Sequence, residues 1–162
     1  MIIRAETATD FAAIHAIEEA AFAHPGEARL VDDLRNAGDM VLSLVAVEDE
    51  QIVGHVAFSK MRAPFRALGL GPVAVLPERQ RTGVGSKLIR EGLKRAEAER
   101  CQGVFVLGDP VYYTRFGFNV SKASAFQSVY SGPYLMVLAL GGDELPARRG
   151  RIEYAPAFAA LG

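Results

Sequence analysis

The 162-residue sequence contains a single cysteine. Cys101 therefore closes no intramolecular disulfide, and no Cys/His cluster has zinc-ligand spacing, so neither bridges nor a structural metal are expected to hold the fold together. A reducing cytoplasm is its natural setting. Charge of one sign is missing as well. The 18 Lys+Arg and 19 Asp+Glu leave a net charge of -1 and are interleaved, which gives no broad basic field for a nucleic-acid backbone. No stretch approaches the roughly 20 apolar residues that span a bilayer, and the N-terminal MIIRAETATDF lacks the basic-then-apolar order of a signal peptide. Repeats, low-complexity tracts and polar linkers are also lacking. What the chain does have is apolar content: 50% hydrophobic residues, enough at this length to bury roughly 70% of the unfolded surface without cross-links. Residues 1–162 are expected to form one domain, with no nucleic-acid or membrane partner.

Periodicity then divides the chain. Ile2 to Glu6 predicts a first strand, and Thr9-Asp10 offers a cap for a helix whose Phe11, Ile14, Ile17, Ala21 and Phe22 recur at helical spacing, ended by His-Pro-Gly at 24–26. A second helix is expected over Glu27 to Asn36. Val41 to Val47 and Ile52 to Ser59 form a hairpin around the polar turn Glu-Asp-Glu-Gln. Leu68 to Val75 is a further strand, but two glycines and Pro72 predict a bulge or splay. A long amphipathic helix from Gly83 to about Arg100 follows, then a short apolar strand at Val104 to Leu107, a brief helix opened by Pro110, and a late strand at Tyr134 to Leu140. The order is mixed α/β.

The segment from Val73 to Ser86 carries the chemistry. A strand leads through a loop to glycines at a helix entrance, where unpaired N–H groups and the positive end of the helix dipole can receive a pyrophosphate, and where the lack of a Cβ allows its approach. Arg79 and Arg81 add positive charge. Glycines also serve helix starts for local reasons alone. The Gly-Lys-Ser/Thr of a P-loop and the three-glycine dinucleotide fingerprint are both absent.

Gln80-Arg81-Thr82-Gly83-Val84-Gly85 resembles the Q/R-x-x-G-x-G/A signature of the GNAT superfamily of N-acetyltransferases, and Tyr113-Thr114-Arg115-Phe116-Gly117-Phe118 resembles its later Tyr-x-x-x-Gly-Phe motif. The element order from Ile2 to Leu140 agrees. The resemblance implies an α/β fold with a central, mixed and splayed sheet of about six or seven strands flanked by about four helices. It implies acetyl-CoA as cosubstrate, with pyrophosphate on the amides around Arg81 to Ser86 and pantetheine along Val73, Ala74 and Val75, which a disturbed strand edge can pair as an added strand would. It places Tyr113 as general acid toward the departing thiolate; aromatic packing is the plainer role for a tyrosine near Phe116 and Phe118, and the reading for Tyr112. Where many members carry an Asn, this chain has Val106, and Asp109 reads as a cap for a shortened helix.

An acceptor amine must lose a proton before attack. No carboxylate lies on Leu68 to Val75, so the base is left among Glu27, His55 and ordered water. Against these stand an ordinary helix-start glutamate and a half-buried strand histidine. Cys101 is not needed. The acceptor is a primary amine of a small molecule or peptide, and the alternative is a silent acyl-CoA-binding sensor module. Gly141 to Gly162 closes the pocket, packs on a second copy in a homodimer, or is a solvated tail.

Overall fold

β-branched and apolar runs pair as their alternation requires, and they dominate the architecture. The computed structural model describes residues 1–142 and 144–161. The chain runs β1 (Ile2–Ala5), α1 (Phe11–Phe22), α2 (Gly26–Asn36), β2 (Met40–Glu48), β3 (Gln51–Arg62), β4 (Ala67–Val75), α3 (Val84–Ala98), β5 (Gly103–Leu107), α4 (Pro110–Tyr113), α5 (Val120–Ala123), β6 (Phe126–Gln127), β7 (Leu135–Ala139), β8 (Gly150–Arg151) and β9 (Glu153–Tyr154), and Pro156–Leu161 forms a closing 3-10 turn. The main sheet has seven strands in the order β1-β2-β3-β4-β5-β7 with β9 beside β3. Only β4–β5 is parallel within it. The sheet matches the expected size. Among the described residues the α-helices are three long ones, α1 to α3, and two single turns, α4 and α5.

The β2–β3 hairpin is longer than its sequence pattern suggests. Pairing reaches Glu48 opposite Gln51, so the turn is only Asp49-Glu50, both left-handed at φ 51 and 62. That primed geometry matches the strand twist. α3 covers one face of the sheet with Val84, Leu88, Ile89 and Ala96 buried. At Gly92 a Cβ would fall 2.1 Å from the Phe58 ring, so glycine sets how closely this helix approaches. α1 and α2 cover the other face through Ile14, Val31 and Val45.

Two features position the site. β4 pairs with β5 only from Ala67 to Leu70, whereas on its other side it follows β3 to Val75 across a register shift between Val56 and Phe58. Gly71 and Pro72 lie where the partnership with β5 ends, so a wedge opens between β4 and β5, as the glycines and proline predict. The C-terminal segment then returns to the sheet. Tyr154 pairs with Met61, and Phe158 packs with Leu30 and Leu34 of α2. The solvated-tail reading is thereby corrected for residues 150–161, whose apolar side chains find a core that no local pattern announced. Asp143 and Gly162, which also belong to that reading, lie outside the described residues. Cys101 is buried, with its Sγ 3.1 Å from the Gly103 carbonyl, and burial raises its thiol pKa. It is a packing residue.

Candidate active site

The wedge exposes backbone in a defined alternation. Leu76 N–H donates to Val53 C=O at 3.0 Å, and Ala74 lies opposite His55. The antiparallel ladder therefore commits the backbone of Ala74 to β3 and turns that of Val73 and Val75 outward. Gln80 reaches back, donating from Nε2 to the outward Val75 carbonyl at 3.1 Å. Of the three strand residues expected to face a cofactor, Ala74 thus contributes no free backbone group.

The chain enters α3 through Arg81 and Gly83, at φ 66 and 91. No side chain caps the helix, and its first ladder bond runs from Lys87 N–H to Gly83 C=O at 3.1 Å. The N–H groups of Val84, Gly85 and Ser86 are left without a helical acceptor. These residues line a cavity of about 430 Å³, together with Gly83, with Arg79, Gln80 and Arg81 of the loop, with Val75, and with Tyr112 and Arg115 across from them. A Cβ at Gly85 would stand 3.4 Å from Tyr112 Oη and 3.7 Å from Val75 Cγ2. A Cβ would fit there in ordinary contact with both, while glycine leaves that space within the cavity. Arg79 is ion-paired with Glu48, so Arg81 and Arg115 are the cavity's less engaged cations. Thr82 donates to the Arg79 carbonyl and closes the loop outside the cavity lining. Tyr112 is more than packing: its hydroxyl lies 3.3 Å from Ser86 Oγ, and Arg115 lies over its ring at 4.4 Å. Sequence reasoning missed Arg115, because it occupies a variable position of the tyrosine motif.

A second cavity, of about 280 Å³, lies further along the wedge. Leu70 to Val73 form one wall, Phe22, Glu27 and Leu30 another, Leu107 and Tyr113 a third, and Tyr154, Phe158 and Leu161 the last. Asp109 caps α4 by accepting from Val111 N–H at 2.9 Å, and this turn places Tyr113. The ring is held edge-on between Tyr112 and Phe118 at centroid distances of 5.0 and 5.9 Å. Burial, with a smaller effect of neighbouring Tyr112, pushes its hydroxyl up to about 12. Tyr113 is a neutral phenol and a hydrogen-bond donor. Glu27 is no exposed helix-start carboxylate. Its side chain is 14% exposed, with His24 Nε2 3.1 Å from Oε1 but without the alignment of a hydrogen bond, which leaves that buried oxygen unpartnered. The buried Tyr154 hydroxyl is likewise unpartnered.

This arrangement has close counterparts. Residues 11–118 match the acetyltransferase (GNAT) family. The chain belongs to that family. The N-acetyltransferase YhbS of Escherichia coli K12 is 35% identical over 160 residues, covering 95% of this chain and 96% of its own. A second protein of that organism, the N-acetyltransferase YjhQ, is 37% identical over 134 residues, covering 78% and 72%. The solved structure of E. coli YhbS in complex with CoA superposes with a TM-score of 0.92 at 34% identity, covering 99% of this chain and 93% of that one. A GNAT family acetyltransferase from Brucella melitensis in complex with acetyl-CoA gives 0.82 at 41% identity, with 97% of each chain covered. The expected GNAT fold is borne out.

Within this GNAT fold His55 is not a base. It is fully buried, with Nδ1 2.7 Å from Glu18 Oε2 and Nε2 2.8 Å from Ser43 Oγ. Ser43 donates to Glu6 Oε1 at 2.5 Å, and Arg35 clamps the same carboxylate at 2.8 and 3.0 Å. Because a carboxylate only accepts, the Ser43 proton points to Glu6, so its lone pair accepts from His55 Nε2–H. Burial raises the Glu18 carboxyl, with His55 opposing. Strand alternation explains the correction. His55 shares its face with Ala74, against α1, whereas Val73 and Val75 point toward Gly85 of α3. Among the described residues no group of three His, Cys, Asp or Glu side chains could hold a metal ion, and no helix is long and apolar enough to cross a membrane.

Proposed function

We propose that residues 1–162 form one acetyltransferase domain that binds acetyl-CoA along the wedge and passes the acetyl group directly to a primary amine of a small molecule or peptide in the cytoplasm. One observation carries this reading: the uncapped entrance of α3 and the Tyr113–Glu27 cavity open on the same stretch of β4, where Val75 lines the first and Val73 the second. Two strand residues span about 7 Å, so an extended thioester arm lying on the outward backbone of Val73 and Val75 runs from one cavity to the other. The CoA and acetyl-CoA held by the two solved relatives support this placement.

Acetyl-CoA supplies the activated thioester; the rest falls to this chain. The free amides of Val84, Gly85 and Ser86, with Arg81 and Arg115, hold the pyrophosphate. Outward N–H groups of β4 receive the charge that develops on the carbonyl oxygen. Glu27 takes the proton that the ammonium must lose, which frees the lone pair that forms the C–N bond as the C–S bond breaks. Tyr113 donates a hydrogen bond to the departing sulfur. Calorimetry with acetyl-CoA tests the reading. Wild type should bind, and Gly85→Glu, which puts a carboxylate in the anion cradle, should bind at least about tenfold more weakly. Absence of wild-type binding, or equal binding by the variant, overturns it. Binding with no acetyl transfer to any amine would favour the sensor alternative.

A further inference from the structure

We infer that the acceptor is a small monoamine on an apolar body, an arylalkyl or alkyl amine with one ammonium and no carboxylate; this rests on the acetyltransferase reading above and narrows it. The Tyr113 cavity has one charged side chain in its lining, Glu27. The buried Oε1 of that carboxylate accepts no aligned hydrogen bond and has only the His24 ring beside it at 3.1 Å, so a ligand ammonium brings both charge and a directed N–H where the protein supplies one imidazole contact. No lysine or arginine lines the cavity. An amino acid would therefore bring its carboxylate beside Glu27 with no lysine or arginine in the lining to balance it. A second ammonium fares no better, since the remaining walls are aliphatic or aromatic apart from tyrosine hydroxyls, and an unpaired charge against such walls is disfavoured.

The rim extends the same preference outward. Phe22, Leu107 and Leu161 are 36, 36 and 40% exposed, an unusual use of large apolar side chains at the mouth of a cavity that already holds a carboxylate. Phe22, Leu107 and Leu161 line the cavity itself, and apolar side chains left partly in solvent there mark a place that an apolar group covers, which assigns them to the body of the amine. A cavity of about 280 Å³ lies at the small end of the roughly 300–1,000 Å³ typical of ligand sites, which suits one ring or a short chain.

Two matched pairs test the assignment by coenzyme A release from acetyl-CoA. Phenethylamine is compared with phenylalanine, which adds only the carboxylate, and pentylamine with cadaverine, which adds only the second ammonium. The monoamine of each pair should have a kcat/KM at least about tenfold higher, the discrimination expected when the site leaves a charge unpaired. Leu161→Glu adds a carboxylate at an exposed rim position and should raise cadaverine against pentylamine. Equal or higher turnover of phenylalanine or cadaverine by wild type overturns the acceptor class while acetyl transfer stands. Release with none of the four also overturns it, and acetyl-CoA calorimetry then separates the two levels: binding retained means that the acceptor class has failed, and binding absent means that the transferase reading has failed too.

Discussion

Replacing Tyr113 with phenylalanine removes one hydroxyl and leaves the ring among Tyr112, Phe116 and Phe118. The size of the effect follows from the burial of that hydroxyl. A phenol pushed up to about 12 facing a thiolate of ordinary pKa near 8.5 gives up its proton only across a gap of about 3.5, or about 5 kcal/mol. Complete transfer is therefore a poor route, and in the proposed reaction the hydroxyl would act by hydrogen-bonding the charge that grows on sulfur. Such a bond to a charged group contributes about 1.5–3 kcal/mol, which predicts a kcat lowered about tenfold to 150-fold. Acetyl-CoA affinity should hardly change, because the bond strengthens only as charge develops. Thermal stability should hold or rise, since no hydrogen bond within the protein is lost. The assay is steady-state coenzyme A release by both proteins with phenethylamine from pH 6 to about 10, alongside acetyl-CoA titration. An unchanged kcat would reduce Tyr113 to packing. A drop beyond about 10⁴-fold, or a basic limb present in wild type and lost in the variant, would refute the argument from burial and restore full proton transfer.

His55→Ala should cost about 3–5 kcal/mol in urea denaturation, because it leaves the Glu18 carboxyl buried without its partner; the Glu18→Leu, His55→Leu double variant should cost less than the two single losses together, and strict additivity would deny the coupling. Arg4 hydrogen-bonds Asp10 and lowers its carboxyl from 3.8 to about 2. Since the folded value is the lower one, the stabilisation is complete above about pH 4 and disappears as pH falls through about 2. Arg4 is 41% exposed, so solvent screening reduces the contribution of the pair. Urea midpoints measured from pH 5 to 2 should show this loss in wild type and not in Asp10→Asn; parallel curves would remove the pair from the account.

The open entrance of α3 and the wedge beside β4 were readable because their requirements are local: the glycines at the helix start lie within six residues, and the disturbance of β4 within nine. Glu27 and His55 were readable only as candidates. Their fates depended on which way a strand alternates and how a helix lies on it, and a register one residue different would have exchanged the surroundings of His55 for those of Val73. Tyr112 reads as packing in the sequence and Arg115 is missed, because the short turns after β5 bring them to the cavity at the α3 entrance from a distant part of the chain. Tyr154, Phe158 and Leu161 were the least legible. β9 is two residues long, too short to carry a period, and its partner Met61 lies nearly a hundred positions earlier.

The Glu18–His55–Ser43–Glu6–Arg35 chain of contacts joins α1 and α2 to β2, to β3 and to the residue that follows β1. Its members depend on one another, so no one of them can be exchanged without stranding its neighbour. Phe22, Leu107 and Leu161 are under no such constraint; they stand partly in solvent and each can vary alone. On the acceptor site proposed above, single changes at the rim would suffice to try new acceptors, while the angle at which α1 and α2 meet the sheet is held as a unit. Divergence within the lineage should be read at those rim positions first.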